Sequence, residues 1–467
     1  MSLLLTNDSP SIHTLGHLPP IPLVIDYSEG TTRIMAQNNV HLGLQQHGRV
    51  RGIVLRDPSS SLRTWLELMN NPFPRLRDLS LLSTDIEEIR LMLPETFQAP
   101  DLRRLSLQGI GLPKGLPLLS SAIALSILSL THIGVSCYFP PGHLVTQLQD
   151  LPHLEELSIG FAVPIPLPSS EREMIPPPIP PVTLPSLRRL TFRGVDAYLD
   201  NLVAQINTPH LERLTLTFFF DLVFSLVNLT EFIHRTDGFG CLVAEVIFNK
   251  DGSSIDVSPY KQRDVGKLRL RVNCEPLDWQ IDSATQVCDA LGDVLSTVEE
   301  LRLDLRVDGM PSDWENTLEN IVWHELLLPF IGVKRLKIGS SLIPEISKAL
   351  ESIDGELVLE LLPALQELDV RLEFDHATNA FSIFMKTREA VGRPIHLLVP
   401  QVRSRFMRSP SQERLDRSAL KRLAAVGQMP KLDVGQQQQQ QPELKEKKSW
   451  QERALGLVGR LRGKNQN

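Results

Sequence analysis

Cysteine, tyrosine and tryptophan are scarce, with four, four and five copies in 467 residues. Cys137, Cys241, Cys274 and Cys288 form no CxxC pair and have no histidine at ligand spacing, so neither a zinc site nor a disulfide framework is signalled. No stretch approaches the roughly 18 uninterrupted apolar residues of a membrane span. The opening MSLLLTNDSPS has neither the basic region nor the apolar length of a signal peptide. Isolated thiols and no export signal point to the cytoplasm or nucleus. The sequon Asn228-Leu229-Thr230 then carries no meaning.

Catalytic signatures are missing too. There is no G-x-S-x-G elbow and no kinase-like set. His324-Glu325 lacks the second histidine of a metalloprotease helix. Gly109-Ile-Gly111-Leu-Pro-Lys-Gly115 follows a predicted strand but matches no phosphate-loop pattern, and Pro113 removes an N–H that a phosphate cradle would need. No catalytic, cofactor-binding or metal-binding residue is expected, and no cofactor; the chain does not read as an enzyme.

Charge is divided unevenly. The whole chain carries −7; residues 401–467 hold 15 Lys/Arg against 6 Asp/Glu, which leaves residues 1–400 at −16. An acidic body argues against nucleic acid, since phosphate binding needs a positive field over the contact face. At 42% hydrophobic residues the body can bury a core.

What the chain does have is a repeat. The pattern L-x-x-L-x-L recurs at Leu76/Leu79/Leu81, Leu102/Leu105/Leu107, Leu125/Leu128/Leu130, Leu154/Leu157/Ile159, Leu187/Leu190/Phe192 and Leu211/Leu214/Leu216. With other aliphatics admitted it extends to Val50/Ile53/Leu55 before these, and after them to Val243/Val246/Phe248, Val265/Leu268/Leu270, Val298/Leu301/Leu303, Val333/Leu336/Ile338 and Leu365/Leu368/Val370. Alternate residues of a strand share a face, so one unit exposes an apolar edge that only a stacked neighbour covers. Pro74, Pro100, Pro152, Pro185, Pro209 and Pro363 each stand two residues before the first aliphatic, where they end a helix and begin a strand. Between cassettes the apolar spacing turns helical, as in SLRTWLELMNN (61–71), GHLVTQLQDL (142–151), AYLDNLVAQI (197–206), ATQVCDALGDVL (284–295) and WENTLENIVWHELLLPFI (314–331).

The predicted fold is α/β: an irregular leucine-rich-repeat solenoid over 36–399, with a curved parallel sheet on the concave face and helices on the convex face. Residues 1–35 read as an N-terminal extension. Residues 163–185, with nine prolines, read as a loop, and FFFDLVFSLVNLTEFI (218–233) as a buried helix. PPPIPPV (176–182) has P-x-x-P spacing without an adjoining basic residue and reads as inter-repeat loop. The tail, 400–467, with Gln436 to Gln441 as a homopolymer, reads as basic and disordered, with a possible amphipathic helix at 445–464.

A protein ligand is expected on the concave face. In the strands' middle exposed position the regular cassettes carry Ser80, Ser106, Ser129, Ser158, Thr191 and Thr215, and later ones Ile247, Arg269, Arg302, Lys337 and Asp369. Arg104, Glu156, Arg189 and Arg213 flank the hydroxyls. The partner-binding set is therefore Arg104, Ser106, Glu156, Ser158, Arg189, Thr191, Arg213, Thr215, Arg269, Arg302 and Lys337. Small hydroxyls also suit any solvated sheet, so the row alone does not specify a ligand.

PLVIDY (22–27), HGRVRGIVLRDPSSSLRTWLELMNNPFPRLRDLSLLS (47–83) and the P-x-L-x-x-L-x-L units resemble the repeat portion of fungal F-box/leucine-rich-repeat proteins. That resemblance implies a substrate-recognition solenoid of a ubiquitin ligase receptor. In the family an F-box of about 45 residues docks on the cullin ligase adaptor. The chain begins about twenty residues before PLVIDY, so adaptor docking is expected only if an F-box lies upstream. The alternative is an independent scaffold or sensor whose basic tail binds a membrane surface or an acidic partner.

Overall fold

The computed structural model describes residues 3–5, 21–27, 34–85, 91–113, 117–164, 181–219, 227–236, 241–259, 266–274, 276–306, 320–351, 361–370 and 379–398. The described residues all fall within one unit, Met1–Gln401. The tail features expected from sequence, and the proline-rich stretch at 165–180, lie outside the described residues.

Described strands are β1 (Leu3–Leu5), β2 (Leu23–Tyr27), β3 (Val50–Asp57), β4 (Asp78–Ser83), β5 (Arg104–Gln108), β6 (Ile127–Ile133), β7 (Glu156–Phe161), β8 (Val182–Thr183), β9 (Arg189–Gly194), β10 (Ile206–Asn207), β11 (Arg213–Phe218), β12 (Val243–Asn249), β13 (Gly252–Ser258), β14 (Lys267–Val272), β15 (Glu300–Arg306), β16 (Arg335–Ile338), β17 (Glu367–Val370) and β18 (His396–Leu398). Sixteen of them form one sheet, in the order β1-β2-β3-β4-β5-β6-β7-β9-β11-β14-β13-β12-β15-β16-β17-β18. Short β8 and β10 pair separately. The fold is mixed α/β with a large, mostly parallel sheet.

One unit of structure recurs along this sheet. Before six of the strands a tight turn is closed by an N–H to a carbonyl three residues back: Leu76 to Phe73, Leu102 to Ala99, Leu154 to Leu151, Leu187 to Leu184, Leu211 to Thr208 and Leu365 to Leu362, at 3.0–3.3 Å. In each of these the proline noted above is the second residue of the turn, where its fixed φ is already the one required. A second backbone motif ties each unit to the one before. The Arg77 carbonyl accepts from the Arg103 and Arg104 N–H groups (2.8 and 2.9 Å), Ser126 from Glu155 and Glu156, Glu155 from Arg188 and Arg189, and Arg188 from Glu212 and Arg213. The strand-entry backbone is thereby satisfied by the neighbouring unit, as burial demands.

Alternation in sequence becomes alternation in burial. Leu79, Leu81, Leu105, Leu107, Leu128, Leu130, Leu157, Ile159, Leu190, Phe192, Leu214 and Leu216 are all buried, in one cluster with the helices' apolar residues. Each such side chain contributes about 1.5–3 kcal/mol by leaving water. Helix Ser59–Leu68 places Leu62, Trp65 and Leu66 on this side, and Trp65 meets Tyr27 edge to face at 5.0 Å between ring centroids.

The structure departs from expectation in several places. The sheet is not wholly parallel. After β11 the chain skips two positions, lays down β12, reverses through Lys250 and Asp251 into antiparallel β13, and returns as β14 beside β11. Asp-Gly between alternating residues is a hairpin signal, and Gly252, at φ +151°, stands where a Cβ would lie 2.0 Å from the Val272 carbonyl oxygen. The β12 cassette is shifted as well: Ala244 and Val246, not Val246 and Phe248, align with Leu301 and Leu303.

Residues 1–35 are not only an extension, because β2 pairs with β3 and β1 with β2. The apolar run 218–233 is not one helix. Phe218 closes β11, the described helix is Val227–His234, and 220–226 lie outside the described residues. The helix predicted from 284 begins earlier and spans Leu277–Ala290, followed by Gly292–Leu295.

Candidate open face of the sheet

With the aliphatics turned to the helices, the intervening residues stand on the other face, and the ladder aligns them in rows about 4.8 Å apart. In the middle row Ser80, Ser106, Ser129, Ser158, Thr191 and Thr215 are consecutive register partners, and Thr215 is followed by Arg269. In the row preceding it Asp78, Arg104, Ile127, Glu156, Arg189, Arg213 and Lys267 align. The six hydroxyl residues therefore form one continuous row across six adjacent strands.

Six of the eleven residues picked from sequence converge. Glu156, Ser158, Arg189, Thr191, Arg213 and Thr215, with Ile127 and Ser129, line a hollow of about 310 Å³ running across β6, β7, β9 and β11. Arg189 donates to Glu156 at 2.8 Å on its margin. Arg104 lies further along the row, bonded to Asp78 at 2.5 Å, beside Ser106 on the same strand.

The remaining three are arranged differently from the expectation. Arg269 follows Thr215 directly, but Arg302 and Lys337 are cut off from it by the inserted β13 and β12. Ile247 is not in the middle row: Glu245 is the partner of Arg302 there, and Ile247 aligns with Asp304. Arg269 grips Asp256 of β13 with Nε at 2.8 and 3.0 Å and Nη2 at 2.7 Å. Lys267 reaches the same carboxylate at 3.3 Å.

Arg302 and Lys337 converge on Glu300 at 2.7 and 2.9 Å, and Arg335 joins them at 3.2 Å. The Glu300 side chain is 3% exposed. Burial pushes its pKa up, but hydrogen bonds from Lys337 and Arg302 and their charges outweigh that and hold it below the usual carboxylate range. Beyond β13 the open face is thus a set of internally neutralised ion pairs.

The sequence expectation covered the middle row and the row before it but not the row after. There Arg193 aligns with Thr217 and Thr217 with Arg271. The Arg193 guanidinium sits over the Phe219 ring at 5.3 Å from its centroid. His132, at φ +52° where β6 ends in an irregular register, has its pKa lowered by burial and secondly by the Arg193 charge. The signal was present in R-L-T-F-R (189–193) and K-L-R-L-R (267–271), where basic residues recur with the strand period.

Other candidates have structural explanations. His324 Nε2 lies 2.6 Å from the Ala349 carbonyl oxygen and donates to it, supporting the neighbouring helix Ile343–Glu351. Burial pushes the Cys241 and Cys274 thiols up to about 11 and Cys288 higher still, the reverse of nucleophile activation. Among the described residues no group of three or more His, Cys, Asp or Glu is placed to hold a metal ion. Among them also, no helix is long and apolar enough to cross a membrane.

No family model and no curated protein matches the chain. The hollow on this face is lined by short hydroxyls, with Arg189, Arg213 and Glu156 beside them.

Proposed function

We propose that the chain is a leucine-rich-repeat solenoid that captures a protein partner on the open face of its sheet. The continuous hydroxyl row with its flanking hollow carries this reading. Six consecutive strands place a short polar side chain where a long one would fill the trough. The recurring turn, strand and helix support the solenoid, since each unit covers its neighbour's apolar edge. The resemblance of the repeats to F-box receptors suggests that the captured protein is a substrate for ubiquitination.

The test is to fill the trough. Ser106→Arg, Ser158→Arg and Thr191→Arg are combined in one variant and compared with Arg63→Glu, an exposed position on helix Ser59–Leu68. Both variants should match the parent in circular dichroism and thermal midpoint, because these side chains are outside the core. In quantitative affinity purification from the native cell, proteins enriched by the parent should fall at least about tenfold with the trough variant, equivalent to about 1.4 kcal/mol. They should persist with Arg63→Glu. An unchanged partner set from the folded trough variant would overturn the proposal.

A further inference from the structure

Over the last two strands of the hydroxyl row and the strand beyond it, the open face becomes strongly basic. Adjacent strands β9, β11 and β14 present Arg189, Arg193, Arg213, Lys267, Arg269 and Arg271. Glu156 engages Arg189, Asp256 engages Lys267 and Arg269, and Arg213 has a partner of its own. Among the described residues no carboxylate pairs with Arg193 or Arg271, and the buried Nε of Arg193 has no hydrogen-bond partner. This positive island stands in a body that carries −16 over residues 1–400, so it has a local potential opposite in sign to its surroundings.

Resting on the open-face reading above, we propose that the partner presents a short anionic stretch, carboxylates or phosphoryl groups on an extended polypeptide, to Arg193 and Arg271. The hollow crosses four strands, about 14 Å at sheet spacing, which about four extended residues span. A chain lying in the trough meets hydroxyls over β6 and β7 and then delivers its next side chains to the arginines. Planar guanidinium forks suit both carboxylate and phosphoryl oxygens. Arg193 is already oriented by Phe219, which lowers the entropy lost on engagement.

A nucleic acid fits the island less well. Its charge continues past three strands, and it would meet Glu156 and Asp78 on one side and Asp256, Glu245 and Glu300 on the other. The site accommodates a short cluster of anions on an otherwise neutral chain.

The experiment measures fluorescence anisotropy of the full chain with labelled peptides of one Gly/Ser/Ala sequence bearing phosphoserine, glutamate or glutamine at the same central positions. The phosphoserine and glutamate peptides should bind, with affinity falling as salt rises; the glutamine peptide should not. Tighter binding of phosphoserine identifies the phosphoryl group as preferred, and equal binding identifies generic acidity. Arg193→Glu with Arg271→Glu should weaken both anionic peptides at least about tenfold, while Arg63→Glu leaves them unchanged. Arg271 is exposed, so Arg271→Glu alone serves if the double variant does not fold. Equal binding of the glutamine peptide, no binding of any peptide, or displacement of the peptides by a tighter-binding thymidine oligonucleotide would each overturn the inference. If native partners survive Arg193→Glu/Arg271→Glu but are lost from the trough variant, the anionic inference fails and the open-face reading stands; if they survive both, both fail.

Discussion

Leu105→Asp should destabilise the protein by about 5 kcal/mol or unfold it, whereas Ser106→Asp, one residue on, should cost less than about 1 kcal/mol. Leu105 is completely buried on β5, in register with Leu79 on one side and Leu128 on the other. Truncating a buried leucine already costs about 2–5 kcal/mol. An aspartate adds an unpaired carboxylate, and both flanking units share the apolar layer it would enter, so the damage spreads along the stack. Ser106 is on the open face, where a carboxylate stays hydrated. Urea denaturation of both variants measures the contrast. A Leu105→Asp protein as stable as the parent would show that the strand faces have been assigned in reverse.

The second large effect is expected at the reversal of the sheet. Gly252→Ala should lower stability by about 3 kcal/mol and strip amide protection selectively from β12, β13 and β14. The added Cβ would fall 2.0 Å from the Val272 carbonyl oxygen and 3.0 Å from the Asn273 Cα, and backbone atoms cannot rotate away as a flexible side chain can. To relieve the overlap the β12–β13 hairpin must draw back from β14, opening the sheet where its two parallel blocks are joined. Hydrogen exchange followed by mass spectrometry locates the loss. Protection unchanged in β13, with an unchanged denaturation midpoint, would mean the close approach does not exist in solution.

Most of the first half of the fold was legible in the sequence, and for a physical reason. From Leu79 to Leu216 each strand is short, its buried pair is spaced by two, and a turn fixes its entry, so pattern and register coincide. The prolines marked the strand entries, as second residues of tight turns, but not always helix ends, since the short strands β8 and β10 stand just before Pro185 and Pro209. Legibility failed where topology overrode local pattern. Val243/Val246/Phe248 has the right residues for the next strand, but nothing local says that β12 lies two places away with β13 between them. Lys250-Asp251-Gly252 was the available hint. Because of that detour, Glu245 rather than Ile247 occupies the middle row, and Arg302 and Lys337 belong to a different neighbourhood from Arg269. Asp256, which neutralises Arg269, was invisible because β13 carries no leucine pattern. Arg193 and Arg271 were missed because only the middle position and the one two residues before it were considered, although the position two residues after it shares the same face.

The helices were legible in existence but less so in extent. Leu277 precedes the recognised apolar pattern by seven residues, and Phe218 was assigned to a helix although it closes a strand. Apolar runs buried on all sides do not distinguish the two states by periodicity.

The most direct test of the open-face account is site-directed photocrosslinking in the native cell. Benzoyl-phenylalanine replaces Ser158 or Thr191 in the trough, or on the helical side Arg63 or Gln147, the latter in helix Pro141–Leu148, and adducts are identified by mass spectrometry. Ser158 and Thr191 should yield adducts with the same protein, and Arg63 and Gln147 should not. Adducts with that protein from Arg63 or Gln147 alone, with none from the trough, would contradict capture on the open face.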